Sequence, residues 1–231
     1  IAHTTMDELA MGGTGTTGRK GVTCNPYDHT RIAGGSSCGS AAALAEGIAP
    51  FALGSDTGDS VRKPASHTGL VGFKRTWGRI SRVGLFPFAP RLDAVAYFPK
   101  DVLDSAYVLS CLAGHDSKDM SSSYRKKEKY QNYVLSHRSF KRVGYFKAVL
   151  DAMKDDEIKA SFLALLEKLK NAGYEVIEYD YPVALLDALY PTYMIISCAE
   201  ATSNDANLDG VRFGPAAVDN PKTYKEYMTE C

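Results

Sequence analysis

The longest regular run of apolar positions lies in the second half of the chain. Between Asp155 and Asn171, the residues Ile158, Phe162, Leu165, Leu166 and Leu169 fall on one stripe of helical period, and Ala172-Gly173 follows as a stop. Two short apolar runs flank this helix, Arg142 to Phe146 and Tyr174 to Tyr179, the second halted by Pro182. Strand, helix and strand in that order predict a parallel pair with a right-handed crossover. A second helix is predicted over Asp101 to Leu112. There Val102, Ala106, Leu109 and Ala113 share a face, Pro99 and Asp101 can start it, and Gly114 can end it. After Asp187 a helical pattern is interrupted at Pro191 and resumes from Tyr193 to Ala201.

The first third reads differently. Ile1 to Gly35 is punctuated by Gly12, Gly13, Gly15, Gly18 and Gly21 and then by Asn25-Pro26, the marks of loops. Ser40 to Gly47 predicts a short helix, because alanine and leucine lose little entropy there. Ile48 to Leu53 predicts a buried strand running into the turn Gly54 to Gly58. Ser117 to Arg142, rich in Ser, Lys and Arg, predicts a solvated segment, with the basic run Arg125 to Lys129 as an exposed face. No internal repeat or linker stands out. The class is α/β, in one domain.

Charge and cysteines narrow the function. With 27 basic and 27 acidic residues among 231, direct wrapping of nucleic acid is disfavoured. No apolar run of ~20 residues is evident, so no membrane span is expected, and no signal peptide is visible. The five cysteines (Cys24, Cys38, Cys111, Cys198 and Cys231) are scattered, which speaks against a disulfide framework and for a reducing cytoplasm. Neither they nor the five histidines have metal-ligand spacing, so no metal site is expected. The chain opens at Ile1 as if in mid-domain and stops at Cys231 without a finishing turn, so it reads as an excerpt.

Two glycine motifs fail. Residues 13–18, GTGTTG, match the dinucleotide fingerprint, but MDELAM before them looks helical and RKGVTCNP after them cannot be a helix. A P-loop would need lysine and a hydroxyl where Arg19 and Lys20 stand.

Two other segments carry chemistry. One is Ala33-Gly34-Gly35-Ser36-Ser37-Cys38-Gly39-Ser40, entering the alanine-rich helix. The other is Gly54-Ser55-Asp56-Thr57-Gly58-Asp59-Ser60-Val61-Arg62-Lys63-Pro64. Singly, each is an ordinary Gly/Ser loop. Together they bring serines and flexible glycines to the ends of a helix and a strand. A serine nucleophile needs that setting, with a base in reach and N–H donors aimed at the developing oxyanion.

The pair resembles the signature of the amidase signature family, G-G-S-S-G-G-S followed by D-T-G-G-S-[IV]-R-x-P. The family's two catalytic serines stand 24 positions apart, as Ser36 and Ser60 do. The resemblance implies a mixed central β-sheet flanked by helices. It also implies Ser60 as acyl-forming nucleophile, and Ser36, usually preceded by a cis peptide, as proton relay. The N–H groups of Thr57, Gly58, Asp59 and Ser60 would form the oxyanion hole. The final base would be a lysine upstream of Ile1, so residues 1–231 alone are expected to be inactive. Cys38 and Asp59 replace family glycines. A carboxylate ~6 Å from the oxyanion would cost about 3 kcal/mol at an effective dielectric near 20, so Asp59 is expected to point away, towards Arg62 or Lys63.

Outside the signature, MDELAMG, NPYDHTRIAGGSS, VGFKRTWGRISRVGLFPFAPRLD and LAGHDSKD resemble one branch of the family, the A subunits of glutamyl-tRNA(Gln) amidotransferases. That branch implies a cytoplasmic glutaminase working with B and C subunits in a heterotrimer. It has no cofactor of its own, while the assembled complex uses ATP and magnesium and holds the tRNA mainly through a partner. Tyr193 aligns with a tyrosine near the glutamine pocket, and the residues that clamp the glutamine ends would lie beyond Cys231. A stand-alone amidase with another amide substrate and a non-catalytic interaction protein are the alternatives.

Overall fold

The computed structural model describes residues 2–136 and 141–208, together with 223, 225, 226 and 229. Described residues form two compact units, one from residues 1–129 and 196–231 and the other from residues 130–195.

In the first unit, strands β1 (Cys24–Asn25) and β2 (Asp28–Ile32) pair antiparallel. Helix α1 (Cys38–Ala45), strand β3 (Ala52–Ser55) and helix α2 (Arg62–His67) follow, then strand β4 (Val95–Phe98) and helix α3 (Val102–Leu112). β3 and β4 pair antiparallel in register Ala52↔Phe98 to Ser55↔Val95. Ala41, Leu44, Val61, Ala65, Ala96 and Phe98 form the buried cluster that α1, α2 and this ladder share. Full burial of side chains such as Leu44 and Phe98 is worth about 1.5–3 kcal/mol each. α3 begins as predicted, with the Asp101 side chain accepting from the Asp104 N–H at 2.7 Å.

The second unit holds α4 (Gln131–Leu135), β5 (Arg142–Phe146), α5 (Lys147–Asp151), α6 (Asp156–Asn171) and β6 (Glu175–Tyr179). It also holds most of α7 (Val183–Asp205), which ends in the first unit. β5 and β6 are parallel, Arg142↔Glu175 to Phe146↔Tyr179, as the strand–helix–strand pattern predicts. Asp155 caps α6 by accepting from the Ile158 N–H at 3.0 Å.

Among the described residues the strands form three separate two-stranded sheets, two antiparallel and one parallel. Several expectations are corrected. On α6 only the Phe162, Leu166 and Leu169 edge faces inward, while Ile158 and Leu165 are exposed, because a two-stranded sheet is too narrow to cover the whole stripe. β3 starts at Ala52 rather than Ile48, beyond Pro50, which has no N–H for a ladder. MDELAM forms only a 3-10 turn at Glu8–Ala10, in which Leu9 and Ala10 have φ of 54° and 59°.

α7 runs through Pro191 without a break. By length and composition it could cross a bilayer, with a mean hydropathy of 1.2 over 18 residues. Only 6% of that window is buried, and small and polar residues interrupt the run. The 117–127 segment is not simply solvated. Asp119 and Ser122 are buried, and the buried Arg79 guanidinium donates to the Arg125 and Lys126 carbonyls at 2.6 and 3.1 Å. Its polar groups find partners on residues 78–82 instead of water. Arg125, Lys126, Lys127 and Lys129 are exposed, as expected.

One buried cation stands apart. Arg75 is 4% exposed, and among the described residues its Nε and Nη1 meet no acceptor. Burial first, then Arg82, push its pKa down to about 10 against the opposing pull of Asp119.

Candidate active site

The first serine segment is shaped by glycine. Gly34 and Gly35 have φ of 77° and 63°, which glycine adopts without strain. A Cβ on Gly35 would stand 2.3 Å from Pro64 Cδ and 3.0 Å from the Ser60 carbonyl, so only glycine lets the two segments touch. Ser36 follows, fully buried, its carbonyl accepting from the Asp7 N–H at 3.0 Å and its Oγ without a partner among the described residues. No cis peptide occurs among the described residues, so the one expected before Ser36 is not found. The paired positive-φ glycines make the sharp turn there. Ser37 is the N-cap of α1, yet its hydroxyl does not cap. It donates to the Ser55 carbonyl and accepts from the Ser55 N–H, both at 3.2 Å.

The second segment is organised by a carboxylate. Asp56 is wholly buried. Its Oδ2 accepts from the Val61 and Arg62 N–H groups at 3.0 and 3.2 Å and from Arg62 Nε at 3.2 Å. Its Oδ1 meets Arg62 Nη2 and Lys74 Nζ, each at 3.0 Å. Burial opposes the charge, but Arg62, the Val61 N–H and Lys74 outweigh it, and the pKa lies below the ordinary 3.8. Lys74 also donates to the Thr57 carbonyl at 3.2 Å, and Thr57 Oγ1 to Asp93 Oδ1 at 2.6 Å. Asp93 in turn accepts the Phe88 and Ala89 N–H groups at 2.9 and 3.0 Å.

The turn from Thr57 to Ser60 is therefore held from its side chains and carbonyls. Its four N–H groups donate no hydrogen bond among the described residues. Ser60 is 6% exposed, and its carbonyl accepts the Ser37 N–H at 3.2 Å, which ties the two segments together. Asp59 turns outward as expected, pairing with Lys63 at 2.8 Å. Ser36 Oγ makes no hydrogen bond to Ser60 Oγ among the described residues. What the two linked segments bring together is two buried serines and a turn of four free amides, the kinds of group acyl transfer uses. No lysine or histidine among the described residues bonds to either hydroxyl.

Sequence reasoning named Asp56 only as part of a motif and passed over Lys74, Asp93 and Asp7. An Asp ahead of a Gly-containing turn is a signal for a side chain that binds its own downstream amides. Lys74 and Asp93 gave no local signal. Tyr193 belongs to the second unit, on α7, with its ring 6.4 Å from that of Tyr190.

Known proteins bear on this arrangement. The Amidase family model matches residues 1–230. The chain belongs to the Amidase family. Among its Amidase relatives, the A subunit of glutamyl-tRNA(Gln) amidotransferase from Prochlorococcus marinus is 44% identical over 223 residues, covering 95% of this chain and 46% of that protein. The crystal structure of the corresponding Thermotoga maritima protein superposes with a TM-score of 0.80 at 36% identity, over 87% of this chain and 44% of the other. A 6-aminohexanoate cyclic dimer hydrolase, solved with its substrate, gives 0.75 at 31% identity, over 89% and 45%. The chain spans less than half the length of the curated relatives it matches.

Proposed function

We propose that the protein carrying this chain is the glutamine-hydrolysing A subunit of a cytoplasmic glutamyl-tRNA(Gln) amidotransferase, its two units belonging to one amidase domain. Ser60 Oγ attacks the carboxamide carbon of glutamine. Its proton passes through Ser36 to a lysine outside residues 1–231 and on to the leaving ammonia. The N–H groups of Thr57, Gly58, Asp59 and Ser60 hold the oxyanion, and water then hydrolyses the acyl-enzyme. Tyr193 contributes to the glutamine pocket. The ammonia serves B and C partner subunits, which contact the tRNA and use ATP and magnesium to convert Glu-tRNA(Gln) to Gln-tRNA(Gln).

What supports the chemistry is the Ser37 N–H to Ser60 carbonyl bond, which ties the segment carrying the buried Ser36 to the turn that ends in Ser60 and has unpaired amides among the described residues. What supports the substrate is that the 44% identity runs far beyond the two serine segments. Likeness to the cyclic dimer hydrolase favours a second reading, a stand-alone amidase for another amide. Ammonia release from glutamine, with and without B and C subunits, separates the two. The full-length protein is expected to release it, and faster in the complex. Ser60→Ala should abolish turnover and labelling by a serine-directed phosphonate. Ser36→Ala should lower turnover by roughly a hundredfold or more, the scale of a positioned acid–base, while slow labelling persists. Labelling undiminished in Ser60→Ala would sink the mechanism.

A further inference from the structure

The glycine-rich stretch that failed as a nucleotide motif is a brace between the two serine segments, and one buried side chain builds it. Asp7 is fully buried. Its Oδ2 accepts the Thr14 and Gly15 N–H groups at 3.2 and 3.0 Å, and its Oδ1 accepts the Thr17 N–H at 3.0 Å. Burial opposes its charge, but the N–H groups of Gly15, Thr17 and Thr14 outweigh it and lower the pKa below 3.8. A Cβ on Gly12 would come within 2.0 Å of Asp7 Oδ2, so the chain turns around the carboxylate at a glycine.

The loop folded in this way reaches both segments. The Gly13 carbonyl accepts the Gly35 N–H at 3.0 Å and Lys63 Nζ at 3.4 Å. Gly15 packs against Cys38, where a Cβ would meet Cys38 Cβ at 2.8 Å. Asp7 completes the link itself, because its own N–H holds the Ser36 carbonyl at 3.0 Å. One residue thus orders the loop that grips Gly35 and Lys63 and fixes the peptide that carries the Ser36 side chain.

We infer that Asp7 is a positioning residue for the Ser36 hydroxyl, acting through its backbone N–H and through the 13–17 loop that its carboxylate folds. The inference rests on the proposed relay role of Ser36. Asparagine at position 7 would keep one acceptor oxygen and turn an NH2 towards an N–H donor, so it cannot hold both halves of the loop.

The test uses the full-length protein assembled with its partner subunits. Asp7→Asn, and separately Gly12→Ala, which displaces the carboxylate without changing its charge, are compared by kcat and KM for glutamine and by the rate of phosphonate labelling. A loss of tenfold or more in kcat with KM within about threefold is expected, together with slower labelling. Adding Asp7→Asn to Ser36→Ala should then cost less than threefold further, since residues acting through one group are not additive. Unchanged kcat in a folded variant, a full tenfold loss added on top of Ser36→Ala, or failure of both single variants to fold would each overturn the inference. Failure of the relay reading looks different: Ser36→Ala alone would then keep parental turnover.

Discussion

Replacing Asp56 by asparagine removes the charge on which the Thr57–Ser60 turn is built. The asparagine oxygen can still accept the Val61 and Arg62 N–H groups, but its NH2 must then face Lys74 Nζ and Arg62 Nη2, both of which are donors. Two charge-assisted bonds are lost, nominally about 1.5–3 kcal/mol each. The Arg62 side chain is 49% exposed and can turn to water, so its share is small. Lys74 is only 26% exposed and is left facing an amide. A net loss of about 2–4 kcal/mol is expected, towards the lower end of what breaking a buried pair costs. Because the folded pKa of Asp56 is depressed, its charge stabilises the fold above the unfolded pKa of ~3.9. That contribution disappears as pH falls through the lower folded value. Urea unfolding of the full-length protein, followed by circular dichroism at pH 7 and at a series of acid pH values, measures this. The gap between parent and Asp56→Asn should be open at pH 7 and close below about pH 4. Equal stability at pH 7, or a gap that stays constant into acid, would refute the reasoning.

Two further outcomes follow from the same geometry. Asp59→Gly should leave kcat/KM for glutamine equal or higher, since the carboxylate faces Lys63 in an exposed i,i+4 pair worth only about 0.3–0.5 kcal/mol. A drop beyond about tenfold, ~1.4 kcal/mol, would give that carboxylate a role in the reaction. Arg75→Met should match or exceed the parent by about 1–4 kcal/mol in urea unfolding, because the guanidinium is buried with two nitrogens unpaired among the described residues. A clear loss would show that an acceptor completes the Arg75 site in solution.

Local periodicity and end signals in the sequence were enough for α3, α6 and the parallel β5–β6 pair, because capping and alternation act over a few residues. Asp101, Asp155 and Gly173 sit at the helix ends where the pattern puts them. The family was legible too, since a strand-to-helix turn rich in glycine and serine needs particular residues at particular spacings. Pairings between distant residues were not legible. Nothing near Lys74 announces that its ammonium will reach Asp56, and nothing near Asp7 announces that it will hold Ser36. GTGTTG was readable as a loop, but its use depended on which carboxylate it would meet. A sequence states which groups can donate, accept or turn. Only the tertiary structure decided which of them are buried together, and burial is what makes a missing partner costly and a fixed hydroxyl useful.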